Sequence, residues 1–329
     1  MHDVAQKANV SINTVSLALQ DSDLVQPRTK ARVLSVAKEL GYRPNVMAQN
    51  LRRGVVHTIG IMIPDVQNAH FWDIVDGAHD EAYQNNYGMV LTHTSLNQER
   101  ESEFLRGLIE RRYDGVILAQ TYSEQSPIEL RTLIQRGGAV VTLGRTWEGA
   151  DRVEYFREDT AQVLLEYLYE LGHRRIGFVM GVARKELAQE RLVAYQHFIE
   201  KHDLISMLEY CGPSVDESAE ATTRLLQYQP RPTAIISVND QLATGIYRSL
   251  GLHGLRIPED VSVAGFDNTS VAKSLYPSLT SVDVGGPDIG RISVQLLLQR
   301  LADPKRPQQI VQVPARLVPR ESTAAPRVE

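Results

Sequence analysis

Three carboxylates stand where chemistry could be done: Asp65, Asp240 and Asp267 each follow the end of an apolar run. Two such groups tuned to different proton affinities would serve acid–base catalysis, whereas a pocket for a polar ligand needs only their acceptor oxygens. No nucleophile or metal set accompanies them. The nine histidines are scattered and none forms H-E-x-x-H, and neither a P-loop nor a G-x-S-x-G elbow occurs. His173, in Leu171-Gly172-His173, reads as a turn residue. The single Cys211 excludes an internal disulfide, a cysteine-based zinc finger and an iron–sulfur cluster. Gly285, Gly286 and Gly290 do not follow a strand with dinucleotide spacing, and IMIPDVQN after the first body strand holds no glycine loop, so a nicotinamide oxidoreductase is poorly supported. Binding is favoured over catalysis, with neither cofactor nor metal.

A sharper pattern opens the chain. In DVAQKANVSINTVSLAL, Ala5 and Ala8 are small enough for a second helix to approach the first. Asn9-Val10 supplies a tight turn, and the Ser11 hydroxyl can cap the helix that follows. This is a helix–turn–helix pattern, whose second helix enters the DNA major groove.

The elements that must position these residues follow from periodicity. In the head, Val4, Ala5 and Ala8 share one face of a first helical segment, 3–9. Val15, Ala18 and Leu19 face inward on a second helix, 12–19. Pro27 opens and Gly41 closes a third, whose inner positions are Val33, Val36, Ala37 and Leu40. Pro44 breaks the chain, and Asn45 can cap a short helix over 46–52. After Gly54, strand-length apolar runs (57–63, 88–94, 115–119, 139–143, 175–180, 233–237, 261–266) alternate with amphipathic stretches (70–86, 98–112, 126–136, 158–171, 186–201, 216–228, 240–250, 287–302). That alternation means an α/β body with parallel, doubly wound sheets and ligands at the carboxyl ends of strands. The series is too long for one sheet; two similar halves meeting near Tyr155 to Glu158, with a cleft between them, fit better.

The chain has 329 residues and a net charge of −5, unevenly spread. Residues 1–54 carry eight cations against four anions, a surplus of four, which leaves −9 for the rest. A basic head on an acidic body points to a nucleic-acid contact at the head. The chain has no secretory signal and no apolar run long enough to span a membrane, so a cytoplasmic location is expected.

Along nearly its whole length the chain resembles bacterial transcription regulators of the LacI/GalR family. The resemblance rests on Asp3-Val4-Ala5, Ala8, Val10-Ser11 and Thr14-Val15-Ser16 in the head, and on Gly41-Tyr42-Arg43-Pro44-Asn45, Ala48 and Leu51-Arg52 after it. In the body it rests on Ile59-Gly60, Pro64-Asp65, Asp114 to Ile117, Leu171 to Ile176, Asn239-Asp240, Val263 to Asp267, Leu279-Thr280 and Arg320 to Thr323. It implies a helix–turn–helix domain over 1–44 and a hinge helix over 45–54. A periplasmic-binding-protein-like body follows, with an N-terminal lobe over 55–156 and 284–312 and a C-terminal lobe over 157–283 and 313–329.

The resemblance also assigns roles. Ile12, Asn13 and Leu17 match base-reading positions: an Asn amide can pair with adenine, and an aliphatic chain suits a thymine methyl. Leu17 replaces a frequent Arg, which implies an operator less dependent on guanine there. Ser11, Thr14 and Ser16 are candidate phosphate contacts. Asn45 and Ala48 belong to the hinge helix, Leu51 matches a residue that wedges between base pairs, and Arg52 lies near phosphates. Hinge helices act in pairs, so a homodimer on a near-palindromic operator is implied. Pocket positions match Phe71, Arg191, Asn239 and Asp267, with His70 and Trp72 as neighbouring candidates. Ala69, Phe156-Arg157, Ser214 and Val284 depart from common family residues, which leaves the sugar open. The expected function is a repressor of carbohydrate-utilisation genes relieved by a small sugar-like effector, and not an enzyme. The alternatives are a cytoplasmic sugar-sensing module without DNA function and a regulator that uses its ligand as corepressor. Only Met1-His2 precede Asp3, so either the first helix lacks a side-chain cap or the chain starts further upstream.

Overall fold

A computed structural model describes residues 1–19, 21–42, 56–95, 97–119, 127–144, 147–155, 158–181 and 189–327. The expected hinge residues Asn45, Ala48, Leu51 and Arg52 lie outside the described residues, as do Phe156 and Arg157. The chain divides into two compact units, Met1–Val56 and His57–Glu329.

The head packs α1 (His2–Ala8), α2 (Ile12–Leu19) and α3 (Pro27–Glu39) around Val4, Ala5, Ala8, Val15, Ala18, Val25, Val33 and Ala37. Asn9 takes the left-handed conformation (φ 51°) that ends α1. The Ser11 hydroxyl accepts the Thr14 N–H at 3.0 Å, as its N-cap position requires. No side chain caps α1 at Met1. Leu40 departs from expectation: it lies just past the last turn of α3 and is 42% exposed. Ion pairs Lys7–Glu39 and Lys30–Asp21 tie α3 to α1 and to the loop after α2.

The body has two six-stranded sheets. Its first half runs β1 (Thr58–Ile63), α4 (Ala69–Gln84), β2 (Gly88–His93), α5 (Gln98–Glu110), β3 (Gly115–Ala119), α6 (Pro127–Gln135), β4 (Ala139–Leu143) and β5 (Asp151–Glu154). The second half runs α7 (Glu158–Glu170), β6 (Ile176–Gly181), α8 (Gln189–Lys201), β7 (Met207–Cys211), α9 (Val215–Leu225), β8 (Ala234–Ser237), α10 (Asp240–Leu252), β9 (Ser262–Phe266), α11 (Ser270–Ser274) and β10 (Thr280–Asp283). Then come α12 (Gly286–Ala302), β11 (Ile310–Gln312) and β12 (Arg316–Val318). Sheet one has the order β11-β5-β4-β3-β1-β2 and is parallel throughout. Sheet two has the order β12-β10-β9-β8-β6-β7, with only β12 antiparallel. The chain passes from one sheet to the other three times: after β5, after β10 and after β11.

The strands that hydrophobic patterning leaves out are held by polar groups. Asp151, the fully buried first residue of β5, accepts hydrogen bonds from Arg300 at 2.7 Å, Arg306 at 2.6 Å and the Gln309 N–H at 2.8 Å, which fastens β11 alongside. Burial alone would raise its carboxyl, but these donors hold it below its ordinary value. In β10, the Thr280 N–H donates to Ser322 at 2.8 Å and the Ser281 hydroxyl to Asp240 at 2.7 Å. A strand does precede Gly285, since β10 ends two residues before it, but Gly285, Gly286 and Gly290 still lack the G-x-G-x-x-G spacing. The glycines serve packing instead. A Cβ at Gly290 would stand 2.0 Å from the Ile74 carbonyl oxygen, and one at Gly77 equally close to that of Pro287, so α4 and α12 cross at backbone contact.

Candidate functional site

A buried polar cluster lies where the carboxyl ends of both sheets meet. Asn68 caps α4 by accepting the His70 N–H at 3.0 Å, which sets His70 and Phe71 in the first turn, both buried. Tyr155, directly after β5, is buried against His70, with ring centroids 5.5 Å apart. From the second half come Arg191, in the first turn of α8 and 9% exposed, and Asp267, directly after β9. Arg191 Nη2 and Asp267 Oδ1 are 3.6 Å apart, and the guanidinium carbon lies 5.1 Å from the centre of the Phe266 ring. The cluster thus draws on both halves of the body: Arg191 and Asp267 face one another, the Arg191 charge reaches His70, and His70 packs between Phe71 and Tyr155.

Burial dominates the electrostatics. It holds His70 down to about 3, helped by the Arg191 charge, so the imidazole is neutral and offers one donor and one acceptor. It raises the Tyr155 hydroxyl and lowers Arg191, the latter opposed by Asp267. Asp267 is pushed up by burial and pulled back by Arg191. Asp240 is pushed up by burial and by the Asp267 charge. The two carboxyls are thus shifted in the same direction, unlike an acid–base pair whose members are tuned apart. The cluster offers fixed donors and acceptors in a dry setting, which is the chemistry of recognition.

Asp267 is displayed under strain. Its φ is 100°, a region that side chains other than glycine rarely adopt. Asp240 holds the turn from behind. One of its oxygens accepts the Thr269 N–H and hydroxyl at 2.7 and 3.0 Å, and the other accepts the Ser281 hydroxyl. Arg320 Nη2 donates to the Asn268 side chain, and the Asn268 N–H donates to Ser281. Asn239 caps α10, its Oδ1 accepting the Leu242 N–H at 2.8 Å, which leaves its amino group and the second lone pair of that oxygen for a ligand.

Trp72 diverges from the buried cluster. It is 45% exposed and its indole N–H donates to the Val66 carbonyl at 2.8 Å. The step of 100° per residue turns it away from the face that buries Phe71. Asp65 accepts the Gln67 N–H and acts as a turn former. Ser214 caps α9 in a reciprocal arrangement with Glu217, and Val284 is fully buried. His173 is a core residue rather than a simple turn residue: its Nε2 donates to the Ala324 carbonyl and its Nδ1 pairs with Thr233, both at 2.9 Å. Burial holds it down to about 4. Among the described residues no cluster of three His, Cys, Asp or Glu could hold a metal ion, and no helix is long and apolar enough to cross a membrane.

On the head, α2 presents Ile12 and Asn13 to solvent, with Thr14 and Ser16 partly covered. The Ser11 and Thr14 hydroxyls are hydrogen-bonded to one another at 2.8 Å, so both are held at the helix N-terminus. Leu17 is half-buried and packs partly against the head core.

A family model described as bacterial regulatory proteins, lacI family, matches residues 1–45, and one described as a periplasmic binding protein-like domain matches 165–323. The catabolite control protein A of Priestia megaterium is 30% identical over 331 residues, covering 98% of both chains. A crystal structure of the Lac repressor dimer bound to operator and an anti-inducer superposes with a TM-score of 0.87 at 26% identity, over 98% of each chain. A LacI-family regulator from Enterococcus faecium with bound ribose has a TM-score of 0.74 at 27% identity, covering 82% of this chain and 99% of that one.

Proposed function

The chain belongs to the lacI family of bacterial regulatory proteins, and from that premise we propose that the cluster around Arg191 and Asp267 is its effector site, occupied by a small neutral sugar. The protein is a DNA-binding transcriptional regulator that acts as a homodimer on operator DNA. The observation that carries the effector reading is the buried Arg191–Asp267 pair. At 3.6 Å it is longer than a close charge-assisted hydrogen bond, and it is flanked by a neutral His70 and an un-ionised Tyr155. A sugar hydroxyl can accept from Arg191 and donate to Asp267, while Phe71 and Phe266 cover the C–H face of the ring.

Because His70, Phe71 and Tyr155 come from one half and Arg191 and Asp267 from the other, a ligand there binds one arrangement of the lobes more tightly than another. That differential affinity is what allows it to change operator affinity, typically by 5- to 150-fold. We place base reading on Ile12, Asn13 and Leu17, phosphate contacts on Ser11, Thr14 and Ser16, and minor-groove binding on Asn45, Ala48, Leu51 and Arg52. Repression relieved by the sugar, in the cytoplasm, completes the reading, and no catalytic step enters it.

Operator binding at fixed salt, followed by fluorescence anisotropy against a panel of pentoses, hexoses and nucleobases, tests it. A sugar that weakens operator binding at least fivefold in the wild type, and has no effect on Asp267→Asn, supports the assignment. A response that survives Asp267→Asn unchanged overturns the site, and a nucleobase as the sole active compound overturns the ligand class.

A further inference from the structure

The far end of the second sheet holds a cavity that plays no part in the effector site. Arg175, Thr233 and Asp260 line it, and they lie just ahead of β6, β8 and β9. Asn239 and Asp267 follow β8 and β9 at the opposite, carboxyl end. The five residues of β9 put roughly 16 Å of strand between the two ends. The cavity has a volume of about 460 Å³, within the range of small-molecule sites. A side recess of about 190 Å³ shares its Arg175, Thr233, Pro326 and Arg327 walls and adds Arg174.

The walls are basic. Arg174, Arg175, Arg231 and Arg327 stand against Glu259 and Asp260, a surplus of two cations on a body whose net charge is −9. Asp260 is already answered twice, by Arg256 at 3.1 Å and by Arg327 at 2.8 Å. Arg174 donates to the Tyr169 and His173 carbonyls at 2.7 and 3.0 Å and lies 3.5 Å from the centre of the Tyr169 ring, so no carboxylate among the described residues takes up its charge. Arg231 is exposed and has neither a hydrogen-bond nor an ion-pair partner among the described residues. Like charges gathered around one cavity repel, and an anion between them relieves that cost. The walls are also fixed before any ligand arrives. The Ala324 N–H donates to the Ser262 hydroxyl at 3.1 Å and the Ala324 carbonyl accepts from His173 at 2.9 Å, which pins the segment that carries Pro326 and Arg327. Rigid rings at Pro230, Pro232 and Pro258 supply apolar wall beside the cations.

We propose that this cavity binds a small organic phosphate, a second ligand separate from the one in the effector site. A phosphate monoester carries close to two negative charges at pH 7, which matches the surplus of two, whereas a carboxylate would answer half of it. Its oxygens accept from the Arg231 and Arg327 forks, a pairing that guanidinium groups make with good geometry. The organic part lies against the proline rings, and the volume leaves room for it.

Isothermal titration calorimetry of the full chain with phenyl phosphate, inorganic phosphate and benzyl alcohol tests it. Phenyl phosphate is expected to bind with a Kd below about 1 mM, inorganic phosphate about tenfold more weakly, and benzyl alcohol not at all. Arg231→Glu is expected to weaken phenyl phosphate binding about tenfold or more, since it replaces a fork donor by a like charge. Its urea midpoint and operator affinity should stay as in the wild type, because the side chain holds nothing else in place. Arg327→Ala is expected to weaken binding as well, by freeing one side of Asp260 toward the cavity. Binding that survives both variants belongs to the basic head or to the effector site and overturns the assignment. Equal affinity for inorganic and phenyl phosphate overturns the organic ligand. An absence of heat with phenyl phosphate overturns the site, and if Arg231→Glu then weakens operator binding the patch is a DNA contact instead.

Discussion

Asp240 never needs to touch a ligand to matter. Its two oxygens take three hydrogen bonds from Thr269 and Ser281, and those bonds hold the turn on which Asp267 is presented. Asp240→Ala leaves three buried donors without their acceptor, and a urea titration should show a loss of at least about 3 kcal/mol. Asp267→Asn keeps the size and tolerates the left-handed backbone, so it should abolish the effector response while operator affinity without effector stays within threefold. The residue types were partly legible in the sequence: Arg191 and Asp267 stand on matching motif positions and do meet, and Phe71 packs on His70 beside them. Tyr155 was not legible. It belongs to no motif, and its burial arises because the chain leaves the first sheet there, a property of the path and not of local sequence. Asn239 was legible as a polar group at a strand end, but not as the side chain that caps α10.

Among the elements, β3 and β4 were read to the residue because continuous apolar runs bounded by glycine leave little else to form. The strands β5, β10, β11 and β12 escaped because their stability comes from partners far along the chain, such as Arg300 on Asp151 and Ser322 on Thr280. In β7 the exposed Tyr210 and polar Glu209 interrupt the apolar run. The closest element contact is also the most testable. Gly290→Ala puts a methyl group 2.0 Å from a carbonyl oxygen, so α4 and α12 must separate; thermal or urea unfolding should show a loss of about 3 kcal/mol or more. In the head, Ser11→Ala removes the acceptor for the Thr14 N–H and should lower stability by about 1 kcal/mol, seen by circular dichroism.

For the molecule as a whole, the charge asymmetry and the two buried histidines set the response to solution conditions. The surplus of four cations in residues 1–54 against −9 elsewhere confines phosphate attraction to the head, so operator affinity should fall steeply as salt rises from 50 to 200 mM. The histidines act through pH. His70 and His173 are neutral in the folded body, held down to about 3 and about 4, whereas both take up a proton near 6.5 once unfolded. Between pH 6.5 and 4 the unfolded chain therefore binds more protons, and stability falls as the solution is acidified. His173 alone accounts for on the order of 3 kcal/mol across that window. Urea midpoints of His173→Gln should vary less with pH than those of the wild type; an identical pH profile would remove His173 from the account. The alternation of strands and helices announced two sheets, but only the three passages between them bring His70 and Tyr155 of one half into the same buried cluster as Arg191 and Asp267 of the other.

The φ of 100° at Asp267 bears on how such a regulator can change over generations. Glycine accepts that backbone freely, and asparagine and aspartate accept it best among the rest. Both easy replacements delete the charge that answers Arg191, while glutamate, which would keep it, meets the strain. At the proposed effector site, ligand preference would therefore drift through the rings of His70, Phe71 and Tyr155, while the acidic anchor could only be kept or lost outright. A descendant that gives up its effector has a one-step route through this codon, and a descendant that switches effector must work around it.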